Sequence, residues 1–122
     1  MTLQNIVPVL RIFNVDKATE FYIDFLGFKL DWQHRFGDNF PLYLQVAKDQ
    51  CILHLSEHHG DASPGSSNRI HCTDIQQYHQ MLHAKDYQFA KPELSQTPWD
   101  TQEFQVTDPF FNRLIFWQDI KK

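Results

Sequence analysis

The sequence has few of the residues that build several common kinds of active site. Only 2 of its 122 residues are cysteines and 4 are glycines, and no glycine-rich segment resembles a phosphate-binding loop. Cys51 and Cys72 lack the spacing of a metal motif, so we expect both to be thiols in a reducing compartment. Ser63, Ser66 and Ser67 follow no nucleophile elbow, which argues against a hydrolase triad.

Basic charge and long apolar runs are scarce as well. Lys and Arg number 11 against 15 Asp and Glu, so the net charge is −4 and sequence-independent binding to nucleic acid is disfavoured. No apolar run approaches the roughly 20 residues of a membrane span. The first residues carry no basic segment followed by an apolar run, so we expect no secretory signal and a cytoplasmic protein.

The last part of the chain contains the clearest strand pattern. Polar and apolar residues alternate over Glu103–Thr107 and again over Arg113–Trp117, which is typical of half-buried strands. Between them, Pro109 suits the first central position of a turn, and Asn112 tolerates a left-handed backbone. The pattern therefore predicts a β-hairpin that ends the domain.

The first half of the chain predicts one strand, one helix and three further strands. The helix has Asp16 as its N-cap and ends at Gly27. In the strand that follows, Phe28, Leu30 and Trp32 share one face. The predicted strands are Ile6–Ile12, Phe28–Arg35, Leu42–Val46 and Cys51–Glu57, with the helix at Asn14–Gly27.

After a polar loop over residues 58–67, the same order of elements returns. The second half predicts a strand at Asn68–Cys72, a helix with Asp74 as N-cap, a strand containing Phe89, and the final hairpin. The chain is thus predicted to be one α+β domain, 1–122, with βαβββ modules at about 4–58 and 68–120. Together these would form a curved mixed sheet with helices on its outer face and a concave groove.

Strand alternation predicts which side chains face that groove. Leucines at alternate positions would pack against the helices, which leaves the other set of residues facing inward. The inward set comprises Val7, Val9, Arg11, Ile52, His54, Ser56, Arg69, His71, Glu103, Gln105, Arg113, Ile115 and Trp117.

Two sets of residues form a recognisable pattern: near the chain end Pro98-Trp99, Glu103-Phe104, Asp108-Pro109, Asn112 and Phe116, and at the chain start Val7-Pro8-Val9-Leu10, Phe21-Tyr22 and Leu26-Gly27-Phe28. In this pattern the chain resembles bleomycin-resistance proteins, a branch of the glyoxalase, bleomycin-resistance and extradiol-dioxygenase (vicinal oxygen chelate) superfamily. One departure is Phe111, where the family turn has glycine. Because a bulky residue at positive φ is strained, we expect another turn geometry here.

The resemblance implies four metal-ligand positions, which here fall on Val7, His54, Arg69 and Ile115. Only His54 can donate to a metal, and a catalytic site needs about three protein ligands. We therefore expect no metal and no cofactor.

Other histidines leave a non-standard metal site open as an alternative. His54, His58 and His59 are close in sequence, although neighbouring strand residues point to opposite faces. His79 and His83 are four residues apart on the second helix, where a polar helix face is the simpler interpretation.

By resemblance, the implied function is metal-free binding that sequesters a bleomycin-type or other cationic aromatic ligand. Aromatic side chains would stack on the ligand and carboxylates, including Asp61, would attract its charge. Arg69 is the alternative partner of Glu103, which would make Glu103 structural. The predicted ligand-binding residues are Trp32, Phe40, Tyr43, His54, Glu57, His58, Arg69, Trp99 and Glu103.

Two other functions remain open for this superfamily. One is a lyase, isomerase or dioxygenase with a non-standard metal site, and the other is a metabolite-binding protein. The resemblance also implies a homodimer, with Pro8 as a hinge for exchange of the N-terminal strand. We expect a small-molecule ligand, and neither nucleic acid nor membrane as a partner.

Overall fold

One order of elements occurs twice along the chain. The structure is a computed structural model, and it describes residues 1–120. Contacts between residues divide it into two units, Met1–Pro64 and the part from Gly65 onward. Each unit has the order βαβββ and one open four-stranded mixed sheet. The prediction of an α+β fold built from two βαβββ modules is therefore confirmed.

The first unit has an edge-to-edge strand order of β1-β4-β3-β2. Strand β1 runs parallel to β4, and the other neighbours are antiparallel. Helix α1 continues directly into a π-helical segment. The elements are β1 (Val9–Arg11), α1 (Val15–Thr19), the π-helical segment (Glu20–Phe25), β2 (Lys29–Arg35), β3 (Leu42–Lys48) and β4 (Cys51–Ser56).

The second unit repeats this topology with the strand order β5-β8-β7-β6. Strand β5 runs parallel to β8, as β1 does to β4. No helix within residues 1–120 has the length and apolar character that a membrane crossing requires. The elements are β5 (Ser67–His71), α2 (Ile75–Ala84), β6 (Ser95–Gln96), β7 (Thr101–Thr107) and β8 (Arg113–Asp119).

Alternate strand residues supply the core of each unit. In the second unit, the ring of Tyr78 on α2 meets the ring of Phe116 edge-on at 5.3 Å, and Phe104 lies 5.1 Å from Phe116. Each buried large side chain contributes about 1.5–3 kcal/mol. The fully buried set in the first unit includes Leu10, Ile12, Phe21, Tyr22, Phe25, Leu44, Leu53 and Leu55. The other residues of each strand lie on the opposite, open face.

One predicted helix cap is wrong, and the other is confirmed in position but not in its side-chain bond. Asn14, and not Asp16, is the N-cap of α1: its backbone is extended, and its side-chain oxygen accepts a hydrogen bond from Lys17 N at 2.8 Å. Asp74 does occupy the N-cap position of α2, but its φ is 52° and its side chain caps no amide. The Gln118 side chain accepts from Ile75 N at 3.1 Å instead.

Two predicted strands are also wrong in part. The first strand was expected over Ile6–Ile12 but covers only Val9–Arg11, because Pro8 has no N–H and precedes the first paired residue. Phe89 lies in a turn and is 63 % exposed, whereas the strand of this segment is Ser95–Gln96. One aromatic residue in a polar stretch was not enough to define a strand.

The turn of the final hairpin keeps the positive φ for which the family uses glycine. Phe111 has φ 70°, so the expectation of another turn geometry is wrong, and the left-handed residue is not Asn112. The buried carboxylate of Asp108 explains this conformation. It accepts from Phe110 N and Asn112 N, both at 2.8 Å, and from Asn112 Nδ2 at 2.9 Å. These bonds hold the chain in a conformation that Phe111 alone disfavours.

Replacing Phe111 with glycine is expected to stabilise the protein. A non-glycine residue in the left-handed conformation costs about 1–2 kcal/mol of stability. Glycine relieves this strain, but its greater freedom in the unfolded chain cancels about 0.5–1 kcal/mol of the gain. Phe111 is 75 % exposed and so contributes little burial. Urea unfolding should show a gain of up to about 1 kcal/mol. The neighbouring change Phe110→Gly, at a buried ring, should instead be strongly destabilising, and equal losses in both variants would contradict this explanation.

Candidate functional site

Four polar or aromatic side chains lie next to one another on the open face of the first sheet. Gln45 on β3 pairs with Trp32 on β2 and with His54 on β4, and Tyr43 lies two residues before Gln45. Residues on either side of His54, Leu53 and Leu55, are buried in the core, as strand alternation predicted. We call Trp32, Tyr43, Gln45 and His54 the aromatic face.

A β-bulge places Trp32 on this face. Leu30 and Trp32 are two residues apart on β2, but their partners on β3, Val46 and Gln45, are adjacent. Asp31 is therefore an extra residue in β2. Such a bulge shifts the alternation by one position. The prediction that Trp32 shares a face with Leu30 is therefore wrong, although its choice as a site residue does not depend on that prediction.

The rings of the aromatic face pack against one another. Trp32 and Tyr43 are stacked at 6.0 Å between ring centroids, with 11° between their planes. Trp32 also meets His54 edge-on at 5.4 Å. Trp32 nevertheless remains 44 % exposed. The protein therefore presents a flat apolar ring whose orientation its neighbours fix.

A chain of hydrogen bonds fixes the orientation of His54. Asp31 can only accept, so the Gln45 group bound to it at 2.9 Å is the amide NH₂. The Gln45 oxygen then accepts from His54 Nε2 at 2.8 Å. With its proton on Nε2, neutral His54 accepts at Nδ1 from the Tyr43 hydroxyl at 2.6 Å. Asp31 thereby sets the tautomer of a histidine two strands away.

The charge of Asp61 acts on the same cluster. Burial raises the pKa of Tyr43, and the negative charge of Asp61 raises it further. Tyr43 therefore stays protonated, as its role as a donor to His54 requires. Ser56 holds Asp61 in place, since its hydroxyl donates to the Asp61 carboxylate at 2.7 Å.

A second aromatic group lies beside the aromatic face. Phe36 meets His34 edge-on at 4.5 Å and His58 at 6.0 Å, and His58 lies 6.5 Å from the Tyr43 ring. Phe36 is 72 % exposed. The predicted site residue His58 therefore adjoins Tyr43, and Phe36 adds an exposed ring that the sequence did not single out.

Phe40 and Glu57 line a separate cleft of about 360 Å³ in the first unit. The Glu57 carboxylate accepts a hydrogen bond from Leu42 N at 3.0 Å, and this bond stabilises the start of β3. Phe40 is 56 % exposed. The full lining is Arg35, Asp38, Asn39, Phe40, Pro41 and Glu57.

The open face of the second sheet brings Arg69 and Glu103 together. Arg69 Nη2 donates to Glu103 Oε2 at 2.6 Å, and the Glu103 side chain is only 16 % exposed. The Arg69 guanidinium lies 5.8 Å from the Trp117 ring centroid, and His71 meets Trp117 at 4.7 Å. Of the two alternatives for Glu103, the structure shows the ion pair with Arg69.

Trp99 belongs to the second unit and lies in the turn between β6 and β7. It is 63 % exposed and precedes Asp100, which has φ 66°. The sequence selected both Tyr43 and His54, which the structure places in direct contact, but it missed Gln45 and Asp31, which extend the hydrogen-bond chain from His54. Strand alternation would have found Gln45, two residues beyond Tyr43, whereas the bulge at Asp31 has no sequence signal that we recognise.

The residues at the superfamily's metal-ligand positions do not fit a metal. Both ring nitrogens of His54 are hydrogen-bonded, and Arg69 is a cation held by Glu103. Val7 and Ile115 have hydrocarbon side chains. Elsewhere in residues 1–120, no group of three or more His, Cys, Asp or Glu side chains is arranged to hold an ion.

The second-helix histidines are engaged in structural contacts. His79 Nε2 donates to the Pro92 carbonyl at 2.9 Å, and His83 Nε2 donates to the same oxygen. Pro92 is buried, and the two histidine hydrogen bonds hold the segment that follows α2 against the helix. This arrangement favours the structural interpretation of the two histidines.

Two βαβββ modules, each with one open four-stranded mixed sheet, define an α+β fold class. A family model described as a glyoxalase superfamily protein matches residues 1–122, and the chain belongs to that superfamily. A comparison with curated proteins found no match.

Solved structures with the same fold include bleomycin-binding and bleomycin-resistance proteins. The bleomycin-binding protein of Streptomyces verticillus, solved with copper(II)-bleomycin, is 27 % identical with a TM-score of 0.69, covering 100 % of this chain and 99 % of its own. A resistance determinant encoded on transposon Tn5 is 16 % identical with a TM-score of 0.75, covering 96 % and 98 %. A glyoxalase/bleomycin resistance protein from a Streptomyces species is 22 % identical with a TM-score of 0.70, covering 94 % and 100 %. These likenesses agree with the resemblance found in the sequence.

Proposed function

We propose that the protein binds a planar, positively charged small molecule of the bleomycin type on the aromatic face and sequesters it unchanged. The observation that carries the proposal is the half-exposed Trp32 ring, stacked on Tyr43 and held against His54. A planar ligand can stack on such a ring, and a surface whose orientation is already fixed loses little entropy on binding.

The charges around the aromatic face support a cationic ligand. Asp31 lies at one end of the hydrogen-bond chain, and Asp61 acts electrostatically on Tyr43 at the other. Glu103, the carboxylate first expected to attract the ligand, is neutralised by Arg69. We therefore assign the attraction to Asp31 and Asp61. The structures solved with bleomycin support this choice of ligand class.

Calorimetric titration with bleomycin and with a neutral planar aromatic compound tests the proposal. We expect saturable binding of bleomycin, weaker binding of the neutral compound, and a further loss of bleomycin affinity on Asp31→Asn with Asp61→Asn. The matched control is Asp38→Asn, a change at an exposed carboxylate in the separate cleft. Absence of bleomycin binding at millimolar concentration would contradict sequestration of this ligand class.

The enzyme alternative is favoured by one observation, the hydrogen bond between the Tyr43 hydroxyl and His54. Superfamily enzymes of the lyase, isomerase or dioxygenase type would also need a metal, for which the residues at the four positions are unsuited. We expect elemental analysis of the purified protein to find no stoichiometric transition metal. About one zinc, nickel or iron per chain, lost on His54→Ala, would overturn the binding proposal in favour of an enzyme.

We also propose that the protein forms a homodimer through exchange of its N-terminal segment. Residues 1–6 are exposed, with Leu3 and Ile6 each 91 % exposed, and β2 is an edge strand whose residues are all exposed. A second copy would cover such apolar residues. Light scattering should give twice the mass of 14.5 kDa, and removal of residues 1–6 should shift the mass toward the monomer. A monomer at micromolar concentration would contradict the proposal.

A further inference from the structure

The open face of the second sheet has an excess of positive charge at one end. Strand register places Arg113 on β8 between Ser67 and Thr107, and Ile115 between Arg69 and Gln105. We call the six residues Ser67, Arg69, Gln105, Thr107, Arg113 and Ile115 the basic face. It contains two guanidinium groups, and the carboxylate next to it on the same face, Glu103, pairs with Arg69, so one positive charge is in excess although the whole chain carries a net charge of −4.

Arg69 is held in position and still has unused donors. Glu103 takes one of its five N–H groups, and the Trp117 ring lies beneath the guanidinium at 5.8 Å. The Arg69 side chain remains 46 % exposed. The Thr101 hydroxyl also donates to Glu103, at 3.3 Å, so the Glu103 carboxylate accepts hydrogen bonds from both Arg69 and Thr101. The ion pair therefore orients Arg69 without closing off the guanidinium.

Arg113 supplies the second cation. Its side chain forms no hydrogen bond or ion pair with another residue of the described chain, 1–120. Arg69 and Arg113 are on adjacent strands and two residues apart in register, which separates their Cβ atoms by about 8 Å. Two side chains of this length can converge on one group over that distance.

Glu103 offsets the charge of Arg69, and the other nearby acidic residues, Asp108 and Asp119, do not cancel the charge of Arg113. Asp108 is buried in the hairpin turn, and its oxygens already accept three hydrogen bonds. Asp119 shares the face of Arg113 but lies six residues further along β8, about 20 Å away. Such a separation exceeds the screening length of about 8 Å at physiological salt.

We propose that the basic face binds the carboxylate or phosphate group of a small molecule, with Arg69 and Arg113 as its charged donors. Guanidinium groups bind both oxyanions through paired N–H donors. Ser67, Thr107 and Gln105 flank the arginines with further donors, and Ile115 gives an apolar floor for the organic part of the ligand. All residues of the basic face belong to the second unit, and the proposal does not depend on the bleomycin proposal.

Titration followed by backbone amide chemical shifts tests the proposal with defined probes. Benzoate and phenyl phosphate represent the two oxyanions, benzamide is the neutral isostere of benzoate, and benzylammonium has the opposite charge. We expect saturable shifts on β5, β7 and β8 with at least one oxyanion, and binding at least about fivefold weaker for benzamide and benzylammonium. Whichever of benzoate and phenyl phosphate binds with the higher affinity identifies the ligand class as carboxylate or phosphate. Equal binding of benzamide, or tighter binding of benzylammonium, would overturn the proposal.

Two variants separate the site from non-specific attraction. Arg113→Gln changes an exposed side chain and should leave the Tm unchanged, while it weakens oxyanion binding about tenfold. Arg69→Gln combined with Glu103→Gln removes both members of the ion pair, leaves no unpaired carboxylate, and should weaken binding by a similar factor. Arg35→Gln in the first unit is the matched control and should have no effect. Unchanged affinity in the Arg113 and Arg69 variants would overturn the proposal.

Discussion

Replacing Asp108 with alanine is expected to lower the free energy of unfolding by about 3–4 kcal/mol, the largest stability loss that we predict for a polar residue. The Asp108 carboxylate is 4 % exposed and accepts from Phe110 N, Asn112 N and Asn112 Nδ2. Alanine leaves these three buried donors without their partner. It also removes the contacts that hold Phe111 at positive φ.

Urea unfolding of two further variants checks this explanation. Asp108→Asn keeps one acceptor oxygen and a similar shape, so its loss should be about half as large. Asp119→Ala changes an exposed carboxylate at the end of β8 and should alter stability by less than about 0.5 kcal/mol. Similar losses for Asp108→Ala and Asp119→Ala would show that the hairpin turn does not depend on the buried carboxylate.

Replacing Trp32 with alanine is expected to weaken bleomycin binding at least tenfold. Stacking of a planar group on an aromatic side chain contributes about 1–3 kcal/mol, and about 1.4 kcal/mol corresponds to a factor of ten in affinity. Because Trp32 is 44 % exposed, its removal should cost the fold much less than removal of a core aromatic residue. Calorimetric titration of the native and variant proteins measures the difference.

The chain provides a matched control for this variant. Trp99 is also an exposed tryptophan, but it lies in the turn between β6 and β7. Trp99→Ala should therefore leave bleomycin affinity within about twofold, and Trp32→Phe should recover part of the loss. A larger effect of Trp99→Ala than of Trp32→Ala would move the binding site away from the aromatic face.

Period-two alternation predicted the strands well because one face of each sheet is buried. The hairpin strands Thr101–Thr107 and Arg113–Asp119 contain the predicted segments, and their apolar residues Phe104, Val106 and Leu114 are buried as expected. A one-residue shift would expose this whole set, so burial specifies the register. Local patterns did not reveal the bulge at Asp31, since an extra strand residue changes pairing without changing composition.

The candidate site was only partly predictable for a related reason. Tyr43 and His54 were each selected from chemistry, but their direct hydrogen bond and the bonds from His54 through Gln45 to Asp31 depend on the register of three strands. The pairing of Arg69 with Glu103 was one of two alternatives because alternation places both residues on one face. Only the side-chain contact across β8 decides between them.

The most direct test of ligand binding on the aromatic face is a titration with metal-free bleomycin, followed by backbone amide and tryptophan indole chemical shifts. We predict saturable shifts on β2, β3 and β4, with the largest indole shift at Trp32, and loss of this pattern in Trp32→Ala. Shifts confined to the second unit, or no saturable shifts at millimolar bleomycin, would contradict binding on this face.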